Sequence, residues 1–272
     1  MFAHAFRRYP VRTLLLLLIA AAAWPAAVPN IGQSEQQLLF LLNQARQQQG
    51  LPLLELDSRL TQAARKHSLQ MSQRSMLGHE FAGEPDLRER LAAVAVPFDA
   101  VAENVAQASS AADAHTELMH SPGHRANILN PNYNAIGIAV AAGRNQELYF
   151  TEDFVHRVTQ LAPAQLERAL LDNMNAARAK HLLPPLAEIN ISMLNHEACR
   201  NQVNANSLSK AFSSAGWVVV FTASEPSQLP NDIIKVASNP QAKGVAIGAC
   251  YPQGESYSVF QAVNIFFRNS TQ

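Results

Sequence analysis

The groups in this sequence that could do chemistry are imidazoles and carboxylates. Five of its nine histidines fall between positions 67 and 124. They sit among short runs of distinctive composition: Leu77-Gly78-His79, Ala102-Glu103-Asn104-Val105-Ala106 and His120-Ser121-Pro122-Gly123-His124-Arg125. Imidazole and carboxylate can hold a divalent metal, move a proton or line a polar pocket. The first half has no cysteine, and no serine or cysteine nucleophile motif accompanies the histidines. No helical His-x-x-x-His pair fixes two metal ligands locally. Any site must therefore be gathered from distant stretches by the fold.

The elements that could gather it are legible as periodicities. Ser34-x-x-Gln37 is a capping-box candidate after a linker over 24–33. Leu38, Leu41, Leu42 and Ala45 then give one helical face, which Gly50 ends. Asp57 or Ser58 caps a second helix, with Leu60, Ala63, Ala64, His67 and Met71 on one side. On that apolar face His67 reads as a core histidine with its hydrogen bonds satisfied. Pro85 opens a third helix with Leu87, Leu91 and Val94 inward. Ser110-x-x-Asp113 opens a fourth, which Ser121-Pro122-Gly123 ends. Two apolar runs, 135–142 and 148–154, flank Gly143-Arg144-Asn145 as a hairpin. Helices first and strands last predict an α+β fold. His115 and His120 are expected in solvent, and Arg125 is expected to pair with a carboxylate or cap a helix.

Taken in order, these runs resemble the CAP superfamily (cysteine-rich secretory, antigen 5, pathogenesis-related-1) over about residues 35–155, and its bacterial branch in Ser-Pro-Gly-His-Arg. The resemblance implies a three-layer α-β-α sandwich with a small antiparallel sheet. It also implies a cleft in which His79, Glu103 and His124 bind ligand and can hold a divalent cation, zinc or calcium. These three residues are separated by 24 and 21 positions. The family's second glutamate, a few residues past a tryptophan, has no match: Leu118 stands at the tryptophan position and Ser121 at the glutamate's, with Glu117 out of register. Two imidazoles and a carboxylate would leave an open position on zinc; alternatively the three form a hydrogen-bonded cluster without metal.

The rest of the chain repeats part of this pattern. Asn43-Gln44-Ala45-Arg46 is echoed by Asn175-Ala176-Ala177-Arg178, and Leu51-Pro52 by Leu183-Pro184. Asn130-Pro131, followed by Ile136-Gly137-Ile138, is echoed by Asn239-Pro240, followed by Lys243-Gly244-Val245-Ala246-Ile247-Gly248. Trp217–Phe221 reads as a strand. The second round lacks the histidine loop, Ala-Glu-Asn and Ser-Pro-Gly-His-Arg. The expected organisation is a signal peptide over 1–27, a CAP domain over 33–158 and a degenerate CAP-like domain over 163–272.

Composition narrows the function. The 272 residues carry 21 basic and 21 acidic side chains, so no nucleic-acid partner is expected. Arg7, Arg8 and Arg12 precede an apolar run, Leu14 to Ala23, and small residues: a secretory leader. The protein is then periplasmic or secreted, touching membrane only through that segment if it is not removed. Cys199 and Cys250 could form a disulfide there or remain buried thiols. Three roles compete. The first is a module binding a lipid, peptide, glycan or protein, with no catalytic residue; the others are a metal-assisted hydrolase and an envelope interaction protein. The first needs no nucleophile and is preferred.

Overall fold

A computed structural model describes residues 31–200, 203–252 and 258–269; the expected signal segment lies outside them. The N-terminal half runs α1 (Ile31–Gln48), β1 (Glu55–Leu56), α2 (Ser58–Arg74), α3 (Leu87–Ala92), β2 (Phe98–Ala108), α4 (Ala111–His120), α5 (Pro122–Ile128), β3 (Ala135–Ala142) and β4 (Leu148–Arg157). The C-terminal half runs α6 (Pro163–Ala179), β5 (Ala187–Glu188), α7 (Met193–Ala198), α8 (Ala205–Ala211), β6 (Trp217–Ala223), α9 (Asn231–Ala237), β7 (Gly244–Cys250) and β8 (Phe260–Phe267).

Capping chemistry sets several boundaries. Asp57 caps α2 by accepting from the Arg59 amide, and Ser110 caps α4 by accepting from Asp113. Four expectations are corrected. The first helix begins by Ile31, so Ser34 is inside it and Gly32 is not linker; Ile31 packs on the core, which rewards the extra turn. Asp86, not Pro85, caps α3. Ser121-Pro122-Gly123 does end α4, but Pro122 also starts α5, because a first-turn proline forfeits no helical hydrogen bond. Helices do not all precede strands: β2 pairs with β4 along its whole length. Its alanines at 100, 102, 106 and 108 are poor strand formers, so tertiary pairing overrides local preference.

The first sheet has order β1-β3-β4-β2. It is mixed rather than wholly antiparallel, since β1 runs parallel to β3. On one face, Ile136, Ile138, Phe150 and Phe154 pack with Leu38 and Leu42 of α1 and Leu118 of α4. On the other, Ala135 and Val155 pack with Leu60 of α2 and Leu91 of α3. Helix α2 lies so close that a Cβ on Gly137 would come within 2.3 Å of the Leu60 carbonyl carbon. Only a glycine admits that approach.

The second sheet repeats the order as β5-β7-β8-β6, again with its two-residue strand parallel. Helices α6 and α9 cover one face, α7 and α8 the other. A Cβ on Gly248 would meet the Leu194 carbonyl carbon at 2.3 Å. Arg46 and Arg178 are both fully buried. Arg46 donates to the carbonyls of Pro52, Ile128, Asn130 and Tyr133. Arg178 donates to those of Pro184, Ala237 and Asn239. Each guanidinium thus ties the end of a long helix to two loops, satisfying carbonyls that burial would otherwise leave unpaired. Asn43 and Asn175 each accept from a backbone amide eleven residues on, at Leu54 and Leu186. Cys199, just past α7, is disulfide-bonded to Cys250, which ends β7, with Cα atoms 5.1 Å apart. Among the described residues no helix is long and apolar enough to cross a membrane.

Candidate functional site

Strand β2 lies at the edge of the first sheet, and the site is built around it. Successive side chains of a strand point to opposite faces. Glu103 faces α2 and α3; Asn104 faces α5. The sheet therefore separates two polar clusters, and a histidine from each side meets at the edge.

On the α2–α3 side, Glu103 Oε1 accepts from Nδ1 of His79, 2.9 Å away, in the loop that follows α2. Glu103 Oε2 accepts from the Arg90 guanidinium of α3. Arg90 also reaches Glu84 Oε1 at 3.1 Å and the His79 carbonyl at 3.4 Å. His67, fully buried, sits between Glu84 Oε1 at 2.8 Å and the Gly78 carbonyl at 2.9 Å. It is the satisfied core histidine expected from α2, and it also props the loop that carries His79.

On the α5 side, the Asn104 amide donates to the His124 carbonyl at 3.2 Å and to Glu152 Oε2 at 2.9 Å. Its carbonyl oxygen accepts from Asn127. This amide pins the first turn of α5 to the sheet and so places His124. The His79 and His124 rings lie 6.4 Å apart, centre to centre. The structure thus brings His79, Glu103 and His124 into one neighbourhood. His115 is half-buried, with Nδ1 sealed from solvent and unpartnered, so it is not the solvated residue expected; His120 is exposed as expected. Arg125 is exposed.

The electrostatics divide the two imidazoles. The hydrogen bond to Glu103 raises the pKa of His79. Burial, and then the His79 charge, lower that of His124. Rings driven apart in this way can donate from one side and accept on the other. Beneath them two neighbouring carboxyls of β4 are fully buried. Burial, then the charge of Glu103, pushes Asp153 well above the usual range, and neither of its oxygens has a hydrogen-bond partner at ordinary distance. Burial raises Glu152 to about 7, its bond from Asn104 opposing only in part. A cleft of about 400 Å³ opens beside His79 and Glu103, lined also by Glu80, Asp86, Leu87 and Val101.

The donor set does not fit a metal held by all three residues. Both oxygens of Glu103 are already engaged, by His79 and by Arg90. Among the described residues no three His, Cys, Asp or Glu side chains are grouped to hold an ion. Sequence reasoning missed Arg90, Glu84 and Asp153. For Arg90 a signal existed: it lies three residues after Leu87 and beside Leu91, on the helical face expected to point inward. Nothing in the sequence distinguishes Glu84 or Asp153 from surface acids.

Comparison with known proteins agrees with this architecture. Residues 39–154 match the cysteine-rich secretory protein family, CAP. The uncharacterized membrane protein YlbC of Bacillus subtilis is 32% identical over 125 residues, 46% of this chain and 35% of that protein. The uncharacterized protein YkwD of the same organism is 29% identical over 114 residues, 42% of this chain and 44% of that one. The chain thus spans less than half the length of these curated relatives. A solved extracellular protein containing an SCP domain, from Bacillus anthracis, is 28% identical, with a TM-score of 0.44; the match covers 47% of this chain and 41% of that one. With the sheet flanked by helices on both faces and the Ala-Glu-Asn strand at its edge, residues 39–154 of this chain form a domain of the CAP family.

Proposed function

We propose that this chain is an extracytoplasmic CAP-domain protein that binds a small molecule, lipid, peptide or glycan in the cleft beside His79, Glu103 and His124. The observation that carries this reading is the meeting of His79 and His124 at an open sheet edge, where a cleft of about 400 Å³ opens beside His79 and Glu103. That geometry offers a guest the polar edge of His79, with His124 close by, beside partly apolar walls from Leu87 and Val101. The side chains beneath them hold the site in shape.

Export is supported by the basic and apolar leader pattern and by the Cys199–Cys250 disulfide, a bond that persists in oxidising compartments. The similar Bacillus anthracis protein is described as extracellular. The C-terminal half is read as a degenerate CAP-like module. It keeps the strand order and the buried arginine, but its strands carry apolar residues where the first half carries the site's acids.

Native mass spectrometry of the mature protein, purified from its own compartment, tests the binding role. A bound mass is expected on the wild type and at least a tenfold lower occupancy on His79→Ala and His124→Ala variants that retain the wild-type circular dichroism. Equal occupancy in all three would place the ligand elsewhere and refute the cleft reading.

A further inference from the structure

We propose that Arg90 is a positioning residue that commits Glu103 to orienting His79, so that this pair presents the His79 Nε2, and not a free Glu103 oxygen, to a guest in the cleft. This role rests on the cleft reading above and specifies what the cleft can recognise.

The geometry is that of a fork closing on a pocket wall. The side chains of Arg90 and Glu103 are 6% and 3% exposed, so their pairing is shielded from water and salt. From α3, the guanidinium reaches Glu103 on β2, Glu84 in the preceding loop, the His67 ring on α2 and the carbonyl of His79. A planar fork can serve several acceptors at once, where an ammonium acts as a point charge. Gly78 offers His67 only a carbonyl oxygen, so His67 Nε2 carries a proton. That fixes the ring from the other side.

With Oε2 held by Arg90, Glu103 turns Oε1 toward His79. A carboxylate that accepts from Nδ1 selects the tautomer with its proton there. The free nitrogen of His79 is then Nε2. Glu103 acts behind the imidazole and is not an independent donor to the cleft. A divalent cation bound at the His79 ring would meet Glu103 only through that ring.

The test uses the full mature chain and two readouts. Ring-nitrogen NMR shifts of His79, at a pH where the ring is neutral, are expected to show the proton on Nδ1 alone. In Arg90→Lys and Arg90→Gln, at least a third of the molecules are expected to carry it on Nε2. If Arg90→Gln does not fold, Arg90→Lys, which keeps a buried cation, decides. Cobalt(II) is the second probe: Glu103→Gln should leave its affinity within threefold of wild type, and His79→Ala should lower it at least tenfold. The inference is overturned if the folded Arg90 variants keep a single Nδ1 tautomer, or if Glu103→Gln weakens cobalt tenfold or more. Should the wild type bind no cobalt, the tautomer decides alone. Failure of the cleft reading is distinguishable, because it would leave the His79 tautomer unchanged and remove only the co-purified ligand.

Discussion

The two halves share a frame and differ in what the frame holds. Pairing Gly137 with Gly248, each pressed against a helix, aligns the strands. Val263 then stands where the first half has Asp153, Ala262 where it has Glu152, and Val220 where it has Glu103. The helix pressed on that glycine is 17 residues in the first half and six in the second. In the first half, Ser68 of α2 fastens helix to sheet through the Ala139 carbonyl and Thr151. In the second, a disulfide joins the end of the short helix to β7. The frame therefore does not depend on the acids. Where they are absent, apolar residues fill the same positions at no desolvation cost. The acids of the first half are costly burials, retained where the fold assembles the cleft.

Breaking the shared element should hurt both halves most. Arg46→Ala strips four carbonyls, two of them in fully buried contacts, of their donor and is expected to cost about 4 kcal/mol. Arg178→Ala removes three such bonds and should cost somewhat less. In a chain beginning at residue 31, Trp217 is the only tryptophan, so urea titration followed by its fluorescence isolates the C-terminal half. Equal small losses for both arginines would show that the carbonyls find water instead.

The disulfide separates the halves. Cys199 and Cys250 are 51 positions apart, and opening a loop of that size should cost about 4 kcal/mol in the chain-entropy account. The double Cys→Ser variant is expected to lower the urea midpoint seen at Trp217 and to leave the transition of the first half in place. A matching drop in both would mean that the halves unfold as one unit.

Glu152 sharpens the comparison in the other direction. Its folded pKa, about 7, lies above the ordinary glutamate value of 4.5. As pH rises through that window the unfolded chain loses its proton first, so folding stability falls, and above about 7 the loss is complete. The whole change is about 3 kcal/mol at 1.36 kcal/mol per pKa unit. Glu152→Gln should abolish most of this decline in the first half, measured as the difference in unfolding free energy between pH 5 and pH 8. An unchanged slope would assign the pH dependence to other groups. The second half, with Ala262 at the equivalent place, should not respond.

Much of this protein is written locally. Helical phasing placed the apolar faces of α1, α2 and α3, cap candidates at Asp57 or Ser58 and at Ser110 marked helix starts, and the glycine turn marked the β3–β4 hairpin. The motifs around Arg46 and Arg178 repeat along the chain, and the strand order repeats in the two sheets. Apart from the strand order, these features depend on near neighbours or on short motifs, so the linear order carries them. The tertiary structure alone decided that an alanine-rich stretch becomes the edge strand β2, since only its pairing with β4 compensates for weak strand preference. It also decided that Arg90, Glu84 and Asp153 lie under the cleft. A buried ion pair is defined by which distant segments exclude water around it, and no local pattern encodes that exclusion.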